Sequence, residues 1–147
     1  MSHLGDVLWQ ALEEAALEVQ ARAYCPYSEY PVGAALLGKS GRIYAGCNVE
    51  NAAYGHSICA ERSAIVQMIA AGDRVPIAVV VVTRGPKPGT PCGACRQMLV
   101  EFAEDLPVRL MVNGAPERTR NTTLAELLPD AFRPEVLLTK KGEGEGS

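Results

Sequence analysis

Cys59-Ala60-Glu61 and, later, Pro91-Cys92-Gly93-Ala94-Cys95 bring three cysteines and one carboxylate into two short segments. Three thiolates with a fourth position left open suit a catalytic zinc ion, whose free site takes water. Glu61 is then the candidate proton shuttle. The first two cysteines stand 33 residues apart, room for a helix, a strand and a turn. The two segments can therefore meet at two helix starts. Moving the pKa of water from 15.7 toward 7 makes deprotonation easier by roughly 12 kcal/mol, which gives such a metal its chemical purpose.

Other readings of these cysteines exist. Alone, Cys92-Gly93-Ala94-Cys95 fits a redox dithiol, half of a structural zinc ribbon, or two buried thiols. A ribbon needs a fourth protein ligand. Cys25 and Cys47 are isolated, His3 is near the N-terminus, and His56 lies three residues before Cys59. His56 is best read as an ordinary loop residue. A redox pair would require neither Cys59 nor Glu61. Three thiolates around a dication sum to −1, and Glu61 adds negative charge. Helix N-termini offset part of this. Arg62 and Arg96, each next to a site residue, are candidates to support the ligand sulfurs, against the plainer reading of solvated helix faces.

Composition narrows the rest. The 147 residues carry 48% hydrophobic and 21% charged side chains and a net charge of −3, which suits one globular domain. No basic run exceeds Lys140-Lys141, so polymeric nucleic acid is disfavoured and a small neutral substrate favoured. Met1 to Gln10 lack a basic region ahead of an apolar stretch, and no apolar run reaches about 18 residues, so neither a secretory leader nor a membrane span is expected. Five cysteines, an odd number, argue for a reducing cytoplasm rather than a disulfide framework.

The elements that must position the site follow from periodicity. Leu4, Leu8, Leu12, Ala15 and Val19 predict an amphipathic helix over 4–22. Strands are expected over 32–37, 42–49, 77–83 and 108–112, with a last short one over 136–138. Helices are expected over 59–71, 92–103 and 123–127, the last capped by Thr122 or Thr123. The expected fold is α/β, a mixed sheet with helices on both faces. The domain spans 1–139, and the Gly- and Glu-rich 140–147 reads as a disordered tail. Asn48 and Glu50, two apart, share one face of an extended segment and could bind vicinal hydroxyls, although a polar turn after a strand would look the same.

These segments together resemble the small zinc-dependent cytidine deaminases. The resemblance rests on Tyr27-Ser28-x-Tyr30-x-Val32-Gly33-Ala34-Ala35, Gly46 to Tyr54, Cys59 to Arg62, Pro91 to Arg96, and Leu127 to Phe132, in order over about residues 5–138. It implies a three-layer α/β/α fold with a five-stranded sheet, and one zinc per subunit on Cys59, Cys92 and Cys95 with Glu61 catalytic. It further implies ribose binding by Asn48 and Glu50, a base-side wall at Tyr30, and a homotetramer whose subunit junctions hold the sites. Ala52, Tyr54 and Phe132 would then meet a neighbour's nucleoside, and the Thr90 carbonyl would accept the leaving amine. Tyr30 is a departure, since the family commonly has Phe there. The implied reaction is hydrolytic deamination of cytidine and 2'-deoxycytidine in pyrimidine salvage. A blasticidin-type antibiotic deaminase, or a non-catalytic zinc or redox module, remains the alternative.

Overall fold

The computed structural model describes residues 4–138. The expected tail over 140–147 lies outside the described residues. Five strands form one mixed sheet: β1 (Gly33–Gly38), β2 (Ile43–Cys47), β3 (Pro76–Thr83), β4 (Pro107–Val112) and β5 (Arg120–Thr123). Their order is β2-β1-β3-β4-β5. Strand β1 runs antiparallel to both β2 and β3, β3 and β4 are parallel, and β5 returns antiparallel.

Helix α1 (Asp6–Gln20) covers one face of this sheet, with Leu12 and Ala16 buried against Ala35, Leu37, Val80 and Val82. Helices α2 (Ala60–Ala70), α3 (Gly93–Val100) and α4 (Leu124–Leu127) cover the other. There Ile65, Met68, Leu99 and Leu124 pack on Leu36, Val79, Val81 and Leu110. The expected three layers are present. Strands β1 and β3 are buried on both faces, which explains their unbroken apolar runs.

This topology sets the location of the site. Strand β3 ends at Thr83, and α3 follows it, so the N-terminus of α3 lies near that end. Helix α2 precedes β3 and leads back into its start, so the N-terminus of α2 lies at the same end. Strands β2 and β3 both run opposite to β1, and Cys47 pairs with Gly33, which pairs with Val82. Asn48, Val32 and Thr83 therefore share this sheet edge.

Two expectations need correction. Residues 136–138 are not a strand. Pro134 opens a helical turn over 135–138, closed by a bond from the Leu138 N–H to the Pro134 carbonyl at 2.8 Å. Its Val136, Leu137 and Leu138 are exposed. The fifth strand is Arg120-Asn121-Thr122-Thr123, a polar stretch that buries one side chain, Thr122. It forms because β4 has an unpaired edge, not because of any apolar pattern. The second concerns α1: its buried line is Leu12, Ala16 and Gln20, while Leu8 of the expected stripe is exposed. The Thr123 cap is present, its hydroxyl accepting from the Glu126 N–H at 3.2 Å.

Gly46 lets α2 approach the sheet. A Cβ there would lie 2.6 Å from the Ala64 nitrogen and 2.7 Å from the Ala60 carbonyl oxygen, both helix backbone. Gly46→Ala must push α2 outward, and an overpacking cost of about 1–3 kcal/mol is expected in denaturant titration. Zinc content should fall with it, because Cys59 caps the displaced helix. An unchanged unfolding midpoint would show that α2 shifts freely.

Candidate metal centre and active site

Cys59 is the N-cap of α2 and Cys92 the N-cap of α3, both extended, with ψ of 156° and 168°. Neither sulfur caps its own helix. Cys95 is one turn into α3, on the side of Cys92, as a separation of three requires. The Cys92 and Cys95 sulfurs are 3.4 Å apart, and those of Cys59 and Cys92 are 3.9 Å apart. All three lie within 4.8 Å of one another. Zinc–sulfur bonds of about 2.3 Å in a tetrahedron place sulfurs about 3.8 Å apart, so the donor set fits one zinc ion. Among the described residues no histidine or carboxylate joins this cluster. The fourth position is thus open on the protein side, which a structural ribbon would not leave. His56 lies in an exposed 3-10 turn, Tyr54–His56, outside the cluster.

The thiols differ in environment. Cys95 is buried, Cys59 half-buried and Cys92 exposed. Hydrogen bonding from Cys95 pulls the Cys59 thiol down to about 6, and Cys92 and the Arg62 guanidinium add to this. Cys95 is pushed the opposite way by its bond to Cys59 and by burial.

Glu61 is 5% exposed and lies in the first turn of α2. Burial raises its carboxyl to about 7, and the Cys59 charge contributes. A group that titrates near neutrality can both take and return a proton. Glu61 lines a cavity of about 190 Å³ with Cys59, Cys92, Asn48, Tyr30, Val32, Thr83, Gly89 and Thr90.

The model of the cytidine and deoxycytidylate deaminase zinc-binding region matches residues 9–110. The chain belongs to this family. A cytidine deaminase of Sporosarcina psychrophila is 47% identical over 122 residues, which cover 82% of this chain and 88% of the relative. The crystal structure of cytidine deaminase from Burkholderia pseudomallei is 44% identical and superposes with a TM-score of 0.78, covering 90% of this chain and 100% of that one. That from Mycobacterium tuberculosis is 39% identical, with a TM-score of 0.70 and coverage of 84% and 96%.

The remaining family positions separate into those at the cavity and those away from it. Asn48 reaches it, but its amide also braces the adjacent segment: Oδ1 accepts from the Val32 N–H at 2.9 Å, and Nδ2 donates to the Tyr30 carbonyl at 3.0 Å. Glu50 lies in a second hollow with Tyr27, Ser28, Tyr54 and Ser57. Its carboxylate accepts from the Tyr27 and Ser28 N–H groups at 3.0 and 3.1 Å and from the Ser28 hydroxyl, and the Ser28 bonds hold its pKa low. Tyr54 packs edge-on against Tyr27, ring centroids 5.8 Å apart. Ala52 and Phe132 are exposed and line neither hollow.

The arginines differ in role. Arg62 acts on Cys59 through charge. Arg96 turns to backbone and loop instead, donating to the Pro91 carbonyl at 2.7 Å, the Leu127 carbonyl at 2.5 Å and the Thr90 hydroxyl at 3.0 Å. It thereby fixes the Thr90-Pro91 approach to Cys92. Sequence reasoning missed Thr83 and Gly89. The Gly89 N–H donates to the Thr83 hydroxyl at 3.0 Å and folds the 84–90 loop onto the cavity. The available signal was a single threonine closing the Val79–Val82 run.

Cys92→Ala removes one of the three candidate zinc ligands. Metal analysis of the purified variant should show well below one zinc per chain, with a lower unfolding temperature than wild type. Full occupancy would mean that another residue replaces Cys92.

Proposed function

We propose that this protein is a cytidine deaminase, converting cytidine and 2'-deoxycytidine with water to uridine and 2'-deoxyuridine and ammonia. One observation carries the reading. The buried Glu61 and the thiols of Cys59 and Cys92 open onto one small cavity, beside the Asn48 amide. The family membership and the cytidine deaminases of similar length support the same substrate class.

Cys59, Cys92 and Cys95 would hold the zinc, which when bound supplies the acidification of a water molecule. Glu61 accepts the proton that water gives up as it adds at C4 of the base. It passes that proton to ring N3, then takes the proton of the new C4 hydroxyl and gives it to the departing amine, so C4=O forms as the C–N bond breaks and the carboxylate ends as it began. Its burial keeps both protonation states accessible near pH 7. The two N-termini of α2 and α3 face the thiolate charge and stabilise it. Tyr30, Val32 and Val81 would supply the apolar wall for the flat base, and the Thr90 carbonyl would accept from the departing amine, Arg96 holding the Thr90 hydroxyl. Asn48 and Glu50 bind the sugar hydroxyls. A site built for hydroxyls leaves polar groups unpaired when the sugar is missing, so free cytosine should be a poor substrate.

We further propose a cytoplasmic homotetramer acting in pyrimidine salvage. Its support is an open hollow of about 570 Å³ beside the cysteines, lined in part by Ala94, Met98 and Phe102. Phe132 and Tyr54 are 58% and 74% exposed in the single chain, as expected of side chains completed by a neighbour. No described helix is long and apolar enough to cross a membrane.

Loss of ultraviolet absorbance from cytidine, paired with ammonia release by zinc-loaded protein, tests the activity. No turnover with full zinc content would overturn it. Glu61→Gln should keep zinc and fold and lose turnover by about 10²–10⁴-fold. Retention of more than a tenth of wild-type turnover would show that Glu61 is not the shuttle.

A further inference from the structure

Gln20 is a long polar side chain at the end of α1, only 3% exposed and on the sheet face opposite α2 and α3. Burying an amide without partners is costly, so a side chain this deep needs hydrogen bonds at both ends. Nε2 donates to the Pro31 carbonyl at 3.1 Å and to the Val82 carbonyl at 3.4 Å. Oε1 accepts from the Asn113 side-chain amide at 2.7 Å.

The two carbonyls occupy related positions. Pro31 stands between Tyr30 and Val32, and Val82 stands between Val81 and Thr83. All four flanking residues line the Glu61 cavity. In extended chain, alternate side chains face opposite ways, so Val82 faces α1 while its neighbours face the cavity. Gln20 thus grips two cavity walls from behind and never meets the substrate. Asn113 completes the clasp, since its backbone N–H donates to the Thr83 carbonyl at 3.0 Å. Gly33 permits the close approach, because a Cβ there would lie 2.9 Å from the Gln20 Cβ.

We infer that Gln20, oriented by Asn113, is a positioning residue for the nucleoside cavity, setting the spacing between the Tyr30–Val32 wall and the Val81–Thr83 wall. The inference rests on the deaminase reading for its substrate. The orientation has a chemical basis. Asn113 donates to one end of the Gln20 amide, which leaves the other end to donate to both carbonyls. A carboxylate at position 113 would demand a flipped amide, turning Oε1 against two carbonyl oxygens.

The wall that Gln20 holds also contains the Asn48 anchor points at Tyr30 and Val32. Loosening it should weaken ground-state and transition-state binding alike, which raises KM and spares kcat. For Gln20→Leu, which keeps most of the volume, the expected result is a three- to tenfold rise in KM for cytidine with kcat within twofold and zinc content unchanged. Asn113→Ala should raise KM less, and Asn113→Asp more than Asn113→Ala. Hydrogen exchange, read without substrate, should be faster in Gln20→Leu over 30–33 and 48–49 and unaltered in α2.

Asn113 is exposed, so its variants carry the test if Gln20→Leu does not fold. Wild-type KM and wild-type exchange over 30–33 in folded Gln20→Leu would overturn the inference. So would Asn113→Asp behaving like Asn113→Ala. Should wild-type protein fail to deaminate cytidine, the function reading falls, while the exchange comparison still decides whether Gln20 holds the wall.

Discussion

Three sulfurs within 4.8 Å of one another are an electrostatic problem before they are a binding site. Once ionised they repel, and each helix start relieves part of that strain with unsatisfied N–H groups and an axial dipole. Cys59 and Cys92 both occupy N-cap positions, where the potential is most positive. The α2–β3–α3 order brings the two caps to one end of β3. Everything else at the site is arranged around that meeting. Gly46 lets α2 lie close enough, Arg96 fixes the loop entering α3, and Arg62 adds a positive charge beside Cys59.

A second principle concerns the 27–32 segment. It is an irregular stretch, yet it forms a wall of the cavity. Several of its backbone groups are satisfied by side chains. Glu50 takes the Tyr27 and Ser28 N–H groups, and Asn48 takes Val32 and gives to Tyr30. The two residues read as sugar ligands are also the braces of the surface they face. If they bind the sugar as proposed, substrate affinity and loop order would be coupled at the same side chains.

The site was legible in the sequence to the extent that it depends on local chemistry. Cys59-Ala60-Glu61 and Cys92-x-x-Cys95 open helices because their residues allow it, and the helices were readable by period. Strands β1 and β3 were readable because burial on both faces demands continuous apolar residues. What was not legible depends on partners distant in the chain. Strand β5 is polar and exists by pairing with β4, whereas Val136, Leu137 and Leu138 look like a strand and form an exposed helical turn. Gln20 sat beyond the expected apolar stripe of α1 and is buried through bonds to residues 11, 62 and 93 positions away. No local pattern signals such a contact.

The placement of the cysteines on either side of β3 has a consequence for folding. A metal held by Cys59 and Cys92 closes a loop of 33 residues that contains all of α2 and β3. Closing a loop of that length with a covalent link removes chain entropy equivalent to about 4 kcal/mol from the unfolded ensemble. A coordinated ion acts in the same direction for as long as it stays bound. The ion that serves chemistry would thus also act as a clasp on the centre of the sheet. Metal supply during synthesis would then influence how much of the chain reaches its native form, apart from any effect on turnover.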